Sequence, residues 1–381
     1  MKVKVLNVNH FKVVIDDIIF FPFKEREFNF SSSSTLFRKI RSQKNFRINQ
    51  YNIKAFLKRN NCKIGEDFNF CYDSSNQHKG NAYIYAIEAL SDPIKKHLNN
   101  STYLERPGPG IDGKALNIRY FSSMRIGQQG KTPVGPNDIF YSHGIADKNY
   151  WIGSRINEFK YAFVPGPAWT KRMRETGYKG EIFEVGYTKL DPIFEELKKK
   201  KEEKKPNKIN VLWCPTHGYS NKHKGRSSFP EFLNYIKLID YRYNFLDSRH
   251  PTTKKGENKK QVPTLKEYCK ENTVVIADAG STLYEAWALN IPVVFPDWIC
   301  KKDVMQHFDK DRNNLEYMIY SKQIGYHAKN IQELNKMIEI AAVNGMKDEE
   351  KQFIENIFPS KLRGNAGETA AKTLNDIKKT L

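Results

Sequence analysis

From Asp138 onward, short apolar runs alternate with amphipathic stretches. Asp138–Tyr141, Tyr161–Val164 and Ile182–Val185 have strand length, and they end in Ser142-His143-Gly144, Pro165-Gly166-Pro167 and Gly186. Between them, Ala168–Thr176, closed by Gly177, and Thr188–Lys205 read as helices. Past Pro206 the pattern restarts. Ile209–Trp213, Asn244–Leu246, Thr273–Ala277 and Pro292–Phe295 read as strands, and Phe229–Ile239, Leu265–Lys270 and Leu283–Leu289 as helices. Ile331–Ala342, Glu349–Ile357 and Ala366–Leu381 carry helical spacing. This alternation predicts an α/β fold of parallel sheets with helices on both faces. The restart predicts two Rossmann-like domains facing across a cleft, over residues 1–205 and 206–360, with 361–381 as a C-terminal helix packing back on the first.

The first ~130 residues are less regular. Val3–Val8 and Val13–Phe21 read as strands, and Ser31–Ser34 as a polar turn or helix start. Tyr83–Leu98 reads as a helix interrupted at Pro93, and Pro107–Gly113 and Gly127–Gly135 as loops.

Composition adds a partner class. The chain has 381 residues, is 13% aromatic, and carries a net charge of +20. That aromatic content builds a core and excludes disorder as the main state. The charge suits a polyanion: nucleic acid, an anionic membrane surface or a phosphate-rich polymer. Lys198–Lys201 with Lys204-Lys205 reads as a solvated connector between domains. Phe37–Arg59, where basic and aromatic residues interleave, reads equally as a membrane or polyanion surface and as a snorkelling helix face. There is no apolar run of transmembrane length and no signal-peptide pattern at Met1–Val5, so the expected location is cytoplasmic, with peripheral attachment to the inner membrane face as the extension the charge suggests. The five cysteines form no CxxC, so they read as reduced and mostly buried.

Open parallel sheets bind ligands beyond the carboxyl ends of their strands, and the notable polar clusters sit there. In Thr273–Asp297 a strand runs through Asp278, Ala279 and Gly280 into a helix opened by Ser281 and Thr282. A helix amino end suits a phosphate, Gly280 permits close approach, and Glu285, one turn on, is placed for ribose hydroxyls. The same residues also fit a capping box, with Thr282 as cap and Glu285 answering it. His143, beside Gly144 at a strand end, has the pKa range of a general base. His250, with Arg249, and His217, after Pro215 and Thr216, stand at two further strand ends and suit phosphate contacts or protonation of a leaving group. The spacings lack local ligand pairs, so no metal is expected.

Taken in order, these segments resemble the CDP-glycerol glycerophosphotransferase family of teichoic-acid synthesis. The resemblance spans roughly Ile139–Asp297. It rests on Ser142-His143-Gly144 with Lys148, Glu184-Val185-Gly186-Tyr187 with Asp191, Val211–Thr216, Arg249-His250-Pro251, and Ala277–Thr282 with Glu285. The chain differs in having Asp278-Ala279-Gly280-Ser281 where the family usually shows Asp-Tyr-Ser-Ser, and Glu285 in place of a later Asp. The resemblance implies a GT-B fold, acceptor binding in the N-terminal half (Gly144, Lys148) and donor binding in the C-terminal half. The implied enzyme moves a glycerol-phosphate, related polyol-phosphate or glycosyl group from a nucleotide-diphosphate co-substrate to a hydroxyl on an anionic polymer or its lipid-linked precursor, without cofactor or metal. His143 and His250 would be catalytic. CDP-glycerol, CDP-ribitol, UDP-sugars and GDP-sugars stay open as donors. Two alternatives are a GT-B glycosyltransferase acting on nucleic acid and a non-catalytic basic module that binds polyanions.

Overall fold

A computed structural model describes residues 66–71, 81–104, 114–120, 134–147, 155–199, 208–216, 227–249 and 272–381, together with the backbone of five short strands near the N-terminus. Those five are β1 (Lys2–Val5), β2 (Phe11–Val14), β3 (Ile18–Phe20), β4 (Arg26–Asn29) and β5 (Arg47–Ile48). β1 pairs with β4, and β2 with β3 and β5, all antiparallel. The run expected as a single strand over Val13–Phe21 is thus divided between two paired strands.

The first α/β unit holds β6 (Phe68–Cys71), α1 (Asn81–Lys95), β7 (Ser101–Leu104), β8 (Leu116–Arg119), β9 (Asp138–Tyr141), β10 (Tyr161–Val164), α2 (Pro167–Glu175), β11 (Glu181–Glu184) and α3 (Asp191–Lys199). Its sheet order is β7-β6-β8-β9-β10-β11, with every pair parallel. The second unit holds β12 (Asn210–Cys214), β13 (Asn244–Asp247), β14 (Thr273–Ala277), α4 (Ser281–Ala288), β15 (Val293–Pro296), α5 (Asp297–His307), α6 (Leu315–Lys322), β16 (Tyr326–Ala328), α7 (Ile331–Asn344) and α8 (Asp348–Ile357). Its order is β13-β12-β14-β15-β16, again all parallel. The fold class is therefore α/β, with two sheets of parallel strands flanked by helices. The central strands β8, β9, β12, β14 and β15 are buried along their whole length, as expected for sheets covered on both faces.

Three elements depart from the periodicity. Phe229–Ile239 forms two 3-10 turns, Glu231–Asn234 and Ile236–Leu238, rather than an α-helix. Spacing of three stacks Phe232 and Tyr235, which both contact Trp298, while Phe232 also packs at 5.0 Å on Trp213. Aromatic packing outweighs helical propensity there. The Thr188 helix opens as a 3-10 turn, Thr188–Leu190, where the Tyr141 hydroxyl accepts from the Thr188 amide (3.0 Å) and donates to the Gly186 carbonyl (3.0 Å). Strands β6–β8 and β16 and helices α5 and α6 have weak local signals and owe their form to the sheets they complete. The expected helix over Leu265–Lys270, the stretch from Ser31 to Ser34, the Pro107–Gly113 loop, the Lys200–Lys205 part of the connector, and all of Phe37–Arg59 except the β5 backbone lie outside the described residues.

The chain ends by crossing back. After α8, residues 358–365 run to the first unit and α9 (Ala366–Lys379) packs along α1. The amino end of α9 has no cap of its own. Asp191, at the start of α3, accepts from the amides of Ala366 (3.3 Å) and Gly367 (2.6 Å). Gly367 lets the two helices touch, since a Cβ there would stand 2.3 Å from the carbonyl oxygen of Pro93. Gly186 is the second necessary glycine. Its φ is +88°, and a Cβ would fall 2.7 Å from that of Ala366. Gly186→Ala combines left-handed strain with overpacking, so a loss of about 2–4 kcal/mol is expected. Calorimetry should record it as a clear fall in thermal midpoint, with the spectrum of the remaining folded protein unchanged.

Candidate functional site

Each sheet reverses its winding once: between β6 and β8 in the first unit, and between β12 and β14 in the second. Such switch points open a crevice beyond the carboxyl strand ends. In the second unit the segments that meet at this point are Pro215-Thr216 after β12 and Asp278-Ala279-Gly280 after β14.

Asp278 ties these two segments together. It is fully buried. One carboxylate oxygen accepts from the amides of Thr216 (2.8 Å) and Ala279 (2.7 Å), the other from the amide (2.7 Å) and hydroxyl (3.0 Å) of Ser228. Burial pushes its pKa up, and the surrounding donors pull against that shift. Asp278 belongs to the stretch that the sequence marks for donor binding, and in the fold its oxygens are engaged by three protein segments. Pro215 is buried, while Thr216 borders Gly280, where a Cβ would stand 3.4 Å from the Thr216 side chain.

Gly280 is the N-cap of α4, and no side chain caps that end. The Thr282–Glu285 capping box is therefore absent. Ser281 and Thr282 are half-buried at the helix mouth. Ser281 Oγ accepts from the amides of Ile145 (3.2 Å) and Ala146 (3.4 Å), which belong to the loop after β9 in the first unit. Gly144 makes this approach sterically feasible, since a Cβ there would sit 2.8 Å from Ser281 Oγ. The loop is tightened by Ser142, whose hydroxyl donates to the Gly144 carbonyl (2.7 Å) and accepts from its amide (3.3 Å). His143 is half-exposed on this loop, its amide donating to the Tyr120 carbonyl at 3.2 Å. His143, Gly144 and the α4 amino end, predicted from separate halves of the chain, thus come together.

Glu285 turns toward the first unit. It is 2% exposed, accepts from Lys189 Nζ at 2.8 Å, and receives the Tyr187 hydroxyl at 3.4 Å. The same hydroxyl lies 3.4 Å from the His143 carbonyl. Arg249 stands at the carboxyl end of β13, its Nε donating to Asp247 at 2.7 Å. His217, His250 and Lys148 lie outside the described residues. Among the described residues, no group of three or more His, Cys, Asp or Glu side chains is placed to hold a metal ion, and no helix is long and apolar enough to cross a membrane.

Sequence reasoning missed the seam between the units. Asp147, four residues after His143, accepts from Arg172 Nε (2.8 Å) and the Leu315 amide (3.1 Å). Arg172 also donates to Asp311, across the seam. The Asp147 amide donates to Glu316 Oε1 (2.9 Å), which also accepts the Tyr284 hydroxyl (3.0 Å). Glu316 falls in a stretch without local pattern, so only the assembled fold makes it visible.

Three buried carboxylates have a pH consequence. Desolvation pushes Asp147 upward, Asp191 to about 6 and Glu350 to about 7. Raised folded values mean that protonation favours the native state. That stability is fully present below the ordinary carboxylate range and is lost as pH rises through about 6 and 7. Thermal midpoints should therefore be higher near pH 5 than near pH 8. A midpoint that rises across that interval contradicts the assignment.

Fold and contacts together define a two-unit α/β protein in which a histidine-bearing loop of the first unit meets the amino end of α4 in the second. No protein-family model matches the chain, and no curated protein does. Solved structures that resemble it include the wall teichoic acid polymerase TagF, at 13% identity, TM-score 0.47, covering 74% of this chain and 78% of that one. A variant of that polymerase soaked with CDPG aligns over 87% of this chain and 94% of its own, at 12% identity and TM-score 0.47. The UDP-GlcNAc 2-epimerase of Methanocaldococcus jannaschii, in complex with UDP-GlcNAc and UDP, covers 91% of this chain and 90% of its own, at 16% identity and TM-score 0.41.

Proposed function

We propose that this protein is a GT-B-type transferase. It moves a glycerol-phosphate, related polyol-phosphate or glycosyl group from a nucleotide-diphosphate donor such as CDP-glycerol to a hydroxyl on a cell-surface polymer or its lipid-linked precursor. The observation that carries this reading is the seating of the His143 loop on the amino end of α4 through Ser281 and Gly144. It brings the loop that carries His143 from one unit to the amino end of a helix in the other, and a helix amino end favours phosphate.

In the phosphoryl version, His143 takes the proton of the acceptor hydroxyl. The oxygen attacks the phosphorus that bears the glycerol, a new O–P bond forms, and the bridging P–O bond breaks. The electron pair of that bond leaves on the nucleoside monophosphate. The α4 amino end, Arg249 and His250 hold the diphosphate and stabilise that charge, and Glu285 holds the ribose once Lys189 has moved aside. The net charge of +20 suits an anionic acceptor and the inner surface of an anionic membrane.

The test is a thermal-shift panel of CDP-glycerol, CDP-ribitol, UDP-sugars and GDP-sugars. One donor class should raise the midpoint by several degrees when present at about 100 times its dissociation constant. Labelled transfer to a glycerol-phosphate oligomer, set against duplex DNA, then identifies the acceptor. If no nucleotide binds, while nucleic acid or vesicles bind with steep salt dependence, the protein is a basic binding module and not a transferase.

A further inference from the structure

The face of α4 that meets the first unit presents Ser281 and Tyr284, three residues apart and therefore neighbours. Ser281 receives the amides of Ile145 and Ala146 directly. Tyr284 reaches the next residue of the same loop through an intermediary: its hydroxyl and the Asp147 amide both donate to Glu316 Oε1, at 3.0 and 2.9 Å. Glu316 is fully buried in the first turn of α6. The same end of α6 grips Asp147 twice more, Leu315 through its amide to the carboxylate and Asn314 through its side-chain amide to the carbonyl. Residues 145–147 are therefore clasped along their length by the second unit. His143 lies just upstream, on backbone whose freedom that clasp removes.

We propose that Glu316 is a positioning residue for His143. Its Oε1 is a second acceptor, beside Ser281 Oγ, that joins the proposed donor-binding helix to the loop carrying the proposed base, so the backbone that carries His143 is fixed against that helix before any ligand arrives. The inference rests on the transferase reading for its catalytic consequence and on the seam geometry alone for the docking. The requirement is for an acceptor oxygen at this point and not for charge. A misplacement of about 1 Å at a reacting group costs on the order of 10²-fold in rate.

Three variants test it: Glu316→Ala, Glu316→Gln and Tyr284→Phe. Glu316→Ala is expected to lower kcat by roughly 10–100-fold with donor affinity nearly unchanged. Glu316→Gln keeps an oxygen in place and should restore most of the rate. In a His143→Ala background, Glu316→Ala should add no further loss, because its effect passes through His143. Amide exchange over residues 143–147 should quicken in Glu316→Ala while that of β14 stays protected. Tyr284→Phe removes one donor without a cavity, so it serves if Glu316→Ala folds poorly; a partial version of the same losses is expected.

Unchanged exchange at 143–147 in a folded variant overturns the docking. An equal loss in the presence and absence of the His143 side chain, or a Gln variant as slow as Ala, overturns the positioning role while leaving the transferase reading intact. If His143→Ala turns over at the wild-type rate, the base assignment fails and the positioning role fails with it.

Discussion

Turnover by the His143→Ala protein is expected to fall by roughly 10²–10⁴-fold, the usual contribution of a positioned general base. Nucleotide-diphosphate affinity should stay within about threefold of wild type, because the base acts on the acceptor and not on the donor. The backbone around His143 is held by groups that alanine keeps. Its amide donates to Tyr120, and its carbonyl lies beside the Tyr187 hydroxyl. The loop should therefore stay seated on Ser281, and the loss should appear in kcat. Paired measurements of donor binding by calorimetry and of single-turnover rate check this. Full activity in a folded His143→Ala protein would remove the histidine from the reaction.

The largest expected effect on stability comes from Asp278→Ala. Truncation leaves the amides of Thr216, Ser228 and Ala279 and the Ser228 hydroxyl without their shared acceptor, in the buried surroundings of Asp278. Stranding buried donors of this kind costs about 3–5 kcal/mol in total, enough to matter against the stability of a typical domain. The segments after β12 and β14 should separate, so donor binding should be lost along with several degrees of thermal midpoint. Asp278→Asn should be intermediate, since one oxygen still accepts while its amide group faces the donors of Ser228. A variant as stable as wild type shows that the three segments have other anchors.

Much of this architecture is legible along the chain because its strands are short, apolar and followed by turn residues. That signal bounds Thr273–Ala277 and Tyr161–Val164 to the residue. Gly144 was legible as a glycine but not as the clearance for Ser281, since that clearance depends on a residue more than a hundred positions away. Glu285 illustrates a different limit. Helical spacing set its position but not its partner, and in the fold it meets Lys189 and Tyr187 of the facing unit. Asp278 lies in the strand-turn-helix that the sequence marks for donor binding, yet in the fold it is an internal tie. Asp147, Arg172 and Glu316 left no local trace, because their roles exist only where two sheets built from distant segments meet. The 3-10 turns of 231–238 escaped for a related reason: Trp213 and Trp298, which shape them, lie outside that segment.

The return of α9 to the first unit has a consequence for biosynthesis. Ribosomes release this chain from its amino end, so α1 and α3 emerge long before their last partner is made. Until residues 366–379 appear, the α1 surface near Pro93 lacks its cover, and Asp191 lacks the two amides it caps. The earlier-made half therefore completes its packing only after the later-made half has been translated, which leaves nascent apolar surface open to chaperones. Expression of fragments that stop before α9 should consequently give the first half as insoluble or chaperone-bound material, however intact its own sheet.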